Sequence, residues 1–286
     1  MSEVSVMDDP GADVHMRKYF SGERLYGDDL PLPKILEWFE DEKEGFASIW
    51  ATGPETYQYE FHALNRVHGF RFLPDRVFRH VLSVGGAYGH ELLPIVDRIR
   101  DITVLDPSDA YPGGTLRGVP LRYVKPDPTG IMPFVDASFD LLTCFGCLHH
   151  IPNVSTVIRE MWRCLAPGGV ALLREPIVSM GDWRRPRPGL TKRERGIPLH
   201  LFRTFLRQAG FVIVREAPCG FAATSRLSRL GIAQVYNSTP VVWGDALLSR
   251  LFAWNRHYHC DKVYQKVAAT LAAFVLRKPN LSAESL

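Results

Sequence analysis

Val81-Leu82-Ser83-Val84-Gly85-Gly86-Ala87-Tyr88-Gly89-His90-Glu91 is the stretch on which the fold turns. An apolar run with a β-branched residue at each end gives way abruptly to small residues. A helical pattern then picks up at Glu91, Leu92, Leu93, Ile95 and Val96. The pattern predicts a buried strand, a tight turn and a helix start. Such a turn lets a ligand touch bare backbone, and a helix start offers unpaired N–H groups to an anion. A dinucleotide fingerprint would need a third glycine where His90 stands. The spacing Gly85, Ala87, Gly89 is the tighter form, G-x-G-x-G.

Working outward, Ile102 to Leu105 reads as a second strand, closed by Asp106. A carboxylate about 20 residues past the first glycine is placed to accept from both hydroxyls of a ribose. The same residue also suits a strand-end turn with Pro107. Leu121 to Val124 is a third strand, followed by Lys125-Pro126-Asp127-Pro128-Thr129. Met132-Pro133-Phe134-Val135-Asp136-Ala137-Ser138-Phe139-Asp140-Leu141-Leu142 then runs into Thr143-Cys144-Phe145-Gly146-Cys147-Leu148-His149-His150-Ile151-Pro152-Asn153. Arg159, Glu160 and Leu165 lead to the turn Pro167-Gly168-Gly169 and a fifth strand, Val170 to Leu173. Strand and helix alternate as in a parallel sheet.

In this order the segments resemble the class I S-adenosylmethionine (SAM)-dependent methyltransferases. The likeness rests on the glycine bend, on Asp106, on the L-P-F-x-D-x-S-F-D pattern with its following L-H-H-x-x-N, and on the Pro-Gly-Gly turn. It covers about Val81 to Val214. The resemblance implies an α/β fold: a Rossmann-like, seven-stranded, mostly parallel sheet with helices on both faces. It implies SAM as cofactor, bound by Gly85, Gly86, Ala87, Tyr88, Gly89, Asp106, Asp127, Pro128, Cys144 and Phe145, with Asp127 near the adenine. Two positions depart from the family pattern: Ser83 stands where an Asp is usual, and Ala87 where a second glycine is usual.

Around this core (76–218) the chain divides into further parts. Residues 1–75 read as a tail (Met1 to Val14) and a helical cap; 219–268 as a helical insertion; 269–286 as the last core strand and a C-terminal tail. In the cap, Ile35, Leu36 and Phe39 share a helical face, and the run Glu40 to Glu44 reads as solvated. Either Gly45 or the cluster Thr52-Gly53-Pro54 ends this region. Tyr59, His62 and Arg66 fall on one side of a second helix, either a substrate wall or a half-buried packing face. Pro198 to Ala209 predicts an amphipathic helix stopped by Gly210, and Phe211 to Val214 a sixth strand. The seventh, Ala272 to Leu276, comes only after the insertion, whose Leu227–Ala233 and Ala246–Trp254 stretches look helical.

Several residues outside the cofactor motifs are candidates for chemistry. Asp182 to Gly196 holds Arg184, Arg185, Arg187, Lys192, Arg193 and Arg195. It reads either as a solvated loop or as a lid for an anionic acceptor, since ligands of open α/β sheets sit outside the strands' carboxyl ends. His257 and His259 in the insertion either cover an acceptor pocket or line it, and with no third ligand beside them no metal set is read. Cys144 and Cys147 form a C-x-x-C without a second pair, so they read as small buried residues. His149 and His150 follow the fourth strand. One of them either serves as general base for a hydroxyl acceptor or simply packs.

Composition bounds the rest. The 286 residues suit one large α/β domain or two small ones, and the net charge of +3 does not point to nucleic acid. No apolar run approaches the roughly 18 residues needed to span a bilayer. The polar, acidic first residues lack a signal or transit pattern, and the five cysteines have no framework spacing, so the expectation is a reduced, cytoplasmic protein. The leading reading is methyl transfer to a small-molecule acceptor, at a hydroxyl of a sugar, polysaccharide precursor or secondary metabolite. A macromolecular methyltransferase and a non-catalytic SAM-binding partner subunit are the alternatives. The oligomeric state is not legible.

Overall fold

A computed structural model describes residues 16–45, 56–111, 113–232 and 234–280. The tail Met1 to Val14, the Thr52-Gly53-Pro54 stop and the last six residues lie outside the described residues. One sheet organises the chain. Its strands are β1 (Phe78–Val84), β2 (Ile99–Leu105), β3 (Gly114–Leu116), β4 (Val119–Val124), β5 (Phe139–Phe145), β6 (Leu165–Pro176), β7 (Val212–Phe221) and β8 (Ala269–Arg277). They stand in the order β3-β4-β2-β1-β5-β6-β8-β7. From β4 through β6 the neighbours run parallel; β8 is antiparallel to both β6 and β7. This is the Rossmann-like sheet the motifs imply. The strand order reverses at β1, so the crevice beyond its carboxyl end is where a ligand is expected.

The strand residues explain the layering. Successive side chains of β1 point to opposite faces. Leu82 and Val84 join a core with Leu142, Met161, Phe202 and Leu206, under helices α3 (Val154–Cys164) and α4 (Leu199–Ala209). Val81 joins Leu92, Ile95, Ile102 and Leu172 on the other face. Central parallel strands are covered on both faces and therefore read as continuous apolar runs.

Several details differ from the sequence expectation: Pro167-Gly168-Gly169 lies inside β6 instead of forming a turn before it, and Tyr59 precedes the helix His62–His68 instead of sharing its face with His62 and Arg66. The sheet has eight strands, because β3 and β4 form a hairpin whose two-residue turn, Arg117-Gly118, takes positive φ at both positions (47° and 85°). That hairpin, instead of a helix, joins β2 to β4. The segment after the glycine bend is a 3-10 helix, His90–Arg98, where Pro94 brings no N–H to the ladder. The insertion's main helix, α5, runs over Thr239–Leu251, with Pro240 at its start, and the expected Leu227–Ala233 helix is a 3-10 segment over Thr224–Leu230.

Cap and insertion meet. Helix α1 spans Leu32–Glu42 and α2 spans His62–His68. Ala63, Leu64 and Val67 of α2 pack with Val242 of α5 against Cys219 of β7 and Ala273 of β8. Asp245 of α5 accepts the N–H groups of Gly220 and Phe221 at 2.9 and 2.8 Å, which fixes the helix to the end of β7. No helix among the described residues is long and apolar enough to cross a membrane.

Candidate active site

The glycine bend is packed so tightly against Ser83, Glu91 and Cys147 that no side chain fits at Gly85 or Gly86. A Cβ on Gly85 would lie 2.3 Å from Cys147 Sγ, and one on Gly86 would lie 1.9 Å from Ser83 Oγ. Gly85 also takes φ 66°, which side chains avoid. Ala87 takes φ 47° in the slot where the family pattern has glycine, and its carbonyl accepts the Tyr123 hydroxyl at 2.6 Å. Ser83 donates to Glu91, so the carboxylate missing at position 83 is supplied from position 91. Burial pushes the Glu91 carboxyl up to about 7, against that hydrogen bond.

Gly85, Gly86, Ala87 and Glu91 open onto a cavity of about 320 Å³ that also holds Asp106, Tyr57, Tyr59, Tyr111, Phe145 and Arg174. Asp106, at the end of β2, accepts the N–H of Ser108 at 3.0 Å. Burial raises its pKa to about 6, the backbone donors of Ser108 and Ala87 opposing the rise. A smaller cavity of about 100 Å³, lined by Leu105, Asp127, Pro128, Ile131 and Met132, adjoins it. Both are bordered by Val84, Pro107, Cys147 and His150, so they form one cleft. Along the cleft lie an apolar slot, the Asp106 carboxylate and the main chain of the glycine bend.

Across the cleft stand His149 and His150, in the 3-10 turn Leu148–His150. Glu175, wholly buried at the end of β6, accepts the N–H groups of Cys147 and Leu148 at 2.9 and 3.0 Å and faces His149 Nδ1 at 2.8 Å. His150 Nδ1 lies 2.8 Å from Glu42. Glu194 Oε1 stands 3.6 Å from His149 Nε2 and 3.3 Å from His150 Nε2. Burial works against a charge on His149, but Glu175 and Glu194 outweigh it and raise its pKa to about 9. Burial, together with the neighbouring His149, lowers that of His150.

The roof over this pair comes from α1 and the basic loop. Trp38 Nε1 donates to the His150 carbonyl at 2.7 Å, and Glu42, one turn on, meets the ring of the same residue. Arg193 pairs with Glu37 and Asp41, both at 2.7 Å, and Lys192 pairs with Asp41 at 2.9 Å. Arg195 is fully buried. Its guanidinium donates to the carbonyls of Tyr26 and Ile151, both at 2.7 Å, and of His149 at 3.1 Å. Trp183 lies between the rings of Phe20 and Tyr26, stacked at 4.4 and 5.5 Å.

The structure brings some of the sequence candidates together and leaves others apart. Gly85, Gly86, Ala87, Asp106, Asp127, Pro128, Phe145, Tyr59, His149 and His150 border the cleft. Tyr88 and Gly89 stand behind it: Tyr88 packs edge-on against Tyr111, and Gly89 caps the 3-10 helix. Cys144 is buried in the sheet, because alternate residues of β5 face opposite ways, and Cys147 borders the cleft instead. His62 lies off the cleft, its backbone N–H bound to Asn237. Arg184 and Arg185 are drawn to Asp182, outside the cleft. His257 and His259 line a separate cavity, where His259 Nδ1 meets Ser179 Oγ at 2.7 Å.

Four site residues escaped the sequence reading: Glu42, Arg174, Glu175 and Glu194. Glu42 falls in the acidic run that reads as solvated, yet it sits four positions after the buried Trp38, and that spacing is the signal in the sequence. Arg174, also buried, donates to Asn65 Oδ1 at 3.0 Å and to the Tyr59 hydroxyl at 3.3 Å, and lies 4.2 Å over the Phe61 ring.

Comparison with known proteins adds three findings. A family model described as a methyltransferase domain matches residues 82–173. A demethylmenaquinone methyltransferase of Roseiflexus castenholzii is 36% identical over 58 residues, which are 18% of this chain and 24% of that one. The match thus spans about a quarter of that relative's length. Among solved structures, phosphoethanolamine N-methyltransferase 2 of Haemonchus contortus, in complex with phosphomonomethylethanolamine and S-adenosylhomocysteine, superposes with a TM-score of 0.53. That pair is 15% identical, over 86% of this chain and 60% of the other. The [4+2]-cyclase SpnF gives a TM-score of 0.50 at 21% identity, over 76% of this chain and 81% of the other. These two likenesses establish the fold, and the second shows that the fold alone does not fix the reaction.

Proposed function

We propose that this chain, whose residues 82–173 match a methyltransferase domain, is a class I SAM-dependent methyltransferase and that its cleft transfers a methyl group from SAM to a small-molecule acceptor. The observation that carries the reading is the joint placement of a Cβ-free bend, Asp106 and the Asp127–Pro128 slot around one continuous cleft. SAM, when bound, supplies a sulfonium-activated methyl group open to in-line attack. Gly85 and Gly86 let its amino-acid portion approach the main chain. Asp106 accepts from the ribose hydroxyls, and Tyr57, Tyr59 and Tyr111 wall the cationic region with aromatic faces. The roof of α1 and loop 182–196 excludes water and holds the acceptor at attack distance.

The acceptor lies against His149 and His150, with Arg174 farther along the wall. Glu42 and Glu175 hold the two rings from behind, so each Nε2 is turned forward toward Glu194 at the cleft wall. One of the pair takes the proton of an acceptor hydroxyl. A hydroxyl of a sugar, polysaccharide precursor or secondary metabolite suits this wall, and Arg174, whose named partners are neutral, suits an anionic group on the same molecule.

Calorimetric titration with SAM, followed by methyl transfer to a panel of small hydroxyl compounds and to RNA, tests the reading. Micromolar SAM binding is expected. Asp106→Asn should weaken it roughly tenfold or more, since hydrogen bonds to a charged acceptor contribute about 1.5–3 kcal/mol. Because Asp106 ionises near 6 in the free protein, wild-type affinity should fall as pH drops below about 6, and the variant should lose that dependence. A protein that ignores SAM, or that methylates only RNA, refutes the proposal.

A further inference from the structure

We propose that His149, His150 and Glu194 form a binding site for a first-row divalent transition metal in the wall of the cleft. Their ligand atoms lie within 4.8 Å of one another. Both Nε2 atoms approach the same carboxylate oxygen, at 3.6 and 3.3 Å. Two ligands bound tetrahedrally at about 2.0–2.1 Å stand about 3.3 Å apart, close to the two separations from Glu194 Oε1.

The surroundings match those of a metal centre. Each histidine has a carboxylate on its far nitrogen, Glu175 for His149 and Glu42 for His150, both at 2.8 Å. A metal-binding imidazole characteristically donates its other N–H to such a group, which fixes the tautomer and directs the Nε2 lone pair at the ion. Glu42 is itself held by the Thr191 hydroxyl at 2.5 Å and the Arg193 N–H at 2.7 Å, so it is an anchored acceptor.

An independent observation points to a missing partner. Glu194 is only 8% exposed, and its second carboxylate oxygen, Oε2, is buried with no hydrogen-bond partner among the described residues. A buried carboxylate oxygen left unpaired is unfavourable, and a cation within reach removes that penalty. Charge points the same way. Glu42, Glu175 and Glu194 bring three carboxylates to two imidazoles. The nearby cations Arg187 and Arg195 spend their guanidinium donors on backbone carbonyls.

The chain also fixes the third ligand in place. Glu194 arrives from a distant loop, and its neighbour Arg195 clamps that loop to the carbonyls of Leu148, His149, Ile151 and Pro152. The clamp sets Glu194 opposite the two rings. Two histidines and one carboxylate leave coordination positions free, and all three residues border the cavity that holds Gly85 and Asp106. The free positions therefore face the acceptor space and would take an oxygen ligand there.

The inference goes beyond methyl transfer: an ion held by both Nε2 atoms takes the place of the histidine base, while binding of SAM on the Asp106 side is independent of it. The test is titration of chelator-stripped protein with Co²⁺, read by its visible d–d absorption, and with Zn²⁺ in competition. One equivalent with a four- or five-coordinate spectrum is expected. Glu194→Gln and His149→Ala should abolish the bands, whereas Glu42→Gln should keep them with affinity lowered roughly 10- to 100-fold. Asp106→Asn, on the donor side, should leave metal affinity unchanged and report the fold of the cleft. Wild-type protein that takes up no Co²⁺ or Zn²⁺ overturns the site, as does unchanged affinity in Glu194→Gln and His149→Ala. Protein that binds cobalt but not SAM leaves the site standing and removes only the methyltransferase reading.

Discussion

Glu91 shows how one buried carboxyl ties stability to pH. It hydrogen-bonds Ser83 beneath the glycine bend, and its pKa rises from 4.5 to about 7 because burial disfavours the charge. The native state therefore holds this proton more tightly than the unfolded chain. The associated stability is fully present below about pH 4.5 and is lost as pH rises through 7. Glu91→Gln should remove this slope. Urea unfolding should find the variant about 3 kcal/mol more stable than wild type at pH 8 and indistinguishable from it at pH 4. Parallel curves at both pH values would contradict this account. In sequence, Glu91 is a polar residue at a helix start, and nothing local marks it as buried. Ser83 departs visibly from the family pattern, but its compensating partner lies eight residues on and is visible only in the fold.

At the scale of elements, β1, β2 and β5 are legible because their apolar runs act locally, whereas Pro167-Gly168-Gly169, read as a turn, lies within β6. The roof was not legible, because its contacts join α1 to a loop some 150 residues away. Read alone, the cations of loop 182–196 suggest a lid for an anion. In the fold Lys192 and Arg193 find carboxylates on α1, and Arg195 finds carbonyls. Arg195→Met keeps much of the volume but leaves the carbonyls of Tyr26 and Ile151 without their donor. It should cost at least about 3 kcal/mol in chemical denaturation. Arg195→Lys should recover only part of that, since an ammonium cannot reproduce the planar fork. A loss below about 1 kcal/mol for Arg195→Met would show that the loop does not depend on this clamp.

For the molecule as a whole, Arg174 links its parts. It leaves the end of β6, donates to Asn65 of α2 and to Tyr59, and borders the cleft. If it meets an anionic acceptor, Arg174→Met should raise the KM for the acceptor at least tenfold while leaving the Kd for SAM unchanged. Weakened SAM binding with unchanged acceptor KM would instead assign Arg174 to the donor. The sequence pattern ends β6 at Leu173, whereas in the fold the strand continues through Arg174 to Pro176. The role of Arg174 depends on α2 folding back over the sheet, which periodicity within either segment does not reveal.

The position of β8 bears on how the protein is made. This strand lies between β6 and β7, yet it is synthesised after both and after the whole insertion. On the ribosome, β6 and β7 must wait with open edges until Ala269–Arg277 emerges, and the packing of α2 against Ala273 waits with them. Nascent chains stalled before residue 269 should therefore engage chaperones longest, and release of that final hairpin partner is the event that seals the sheet.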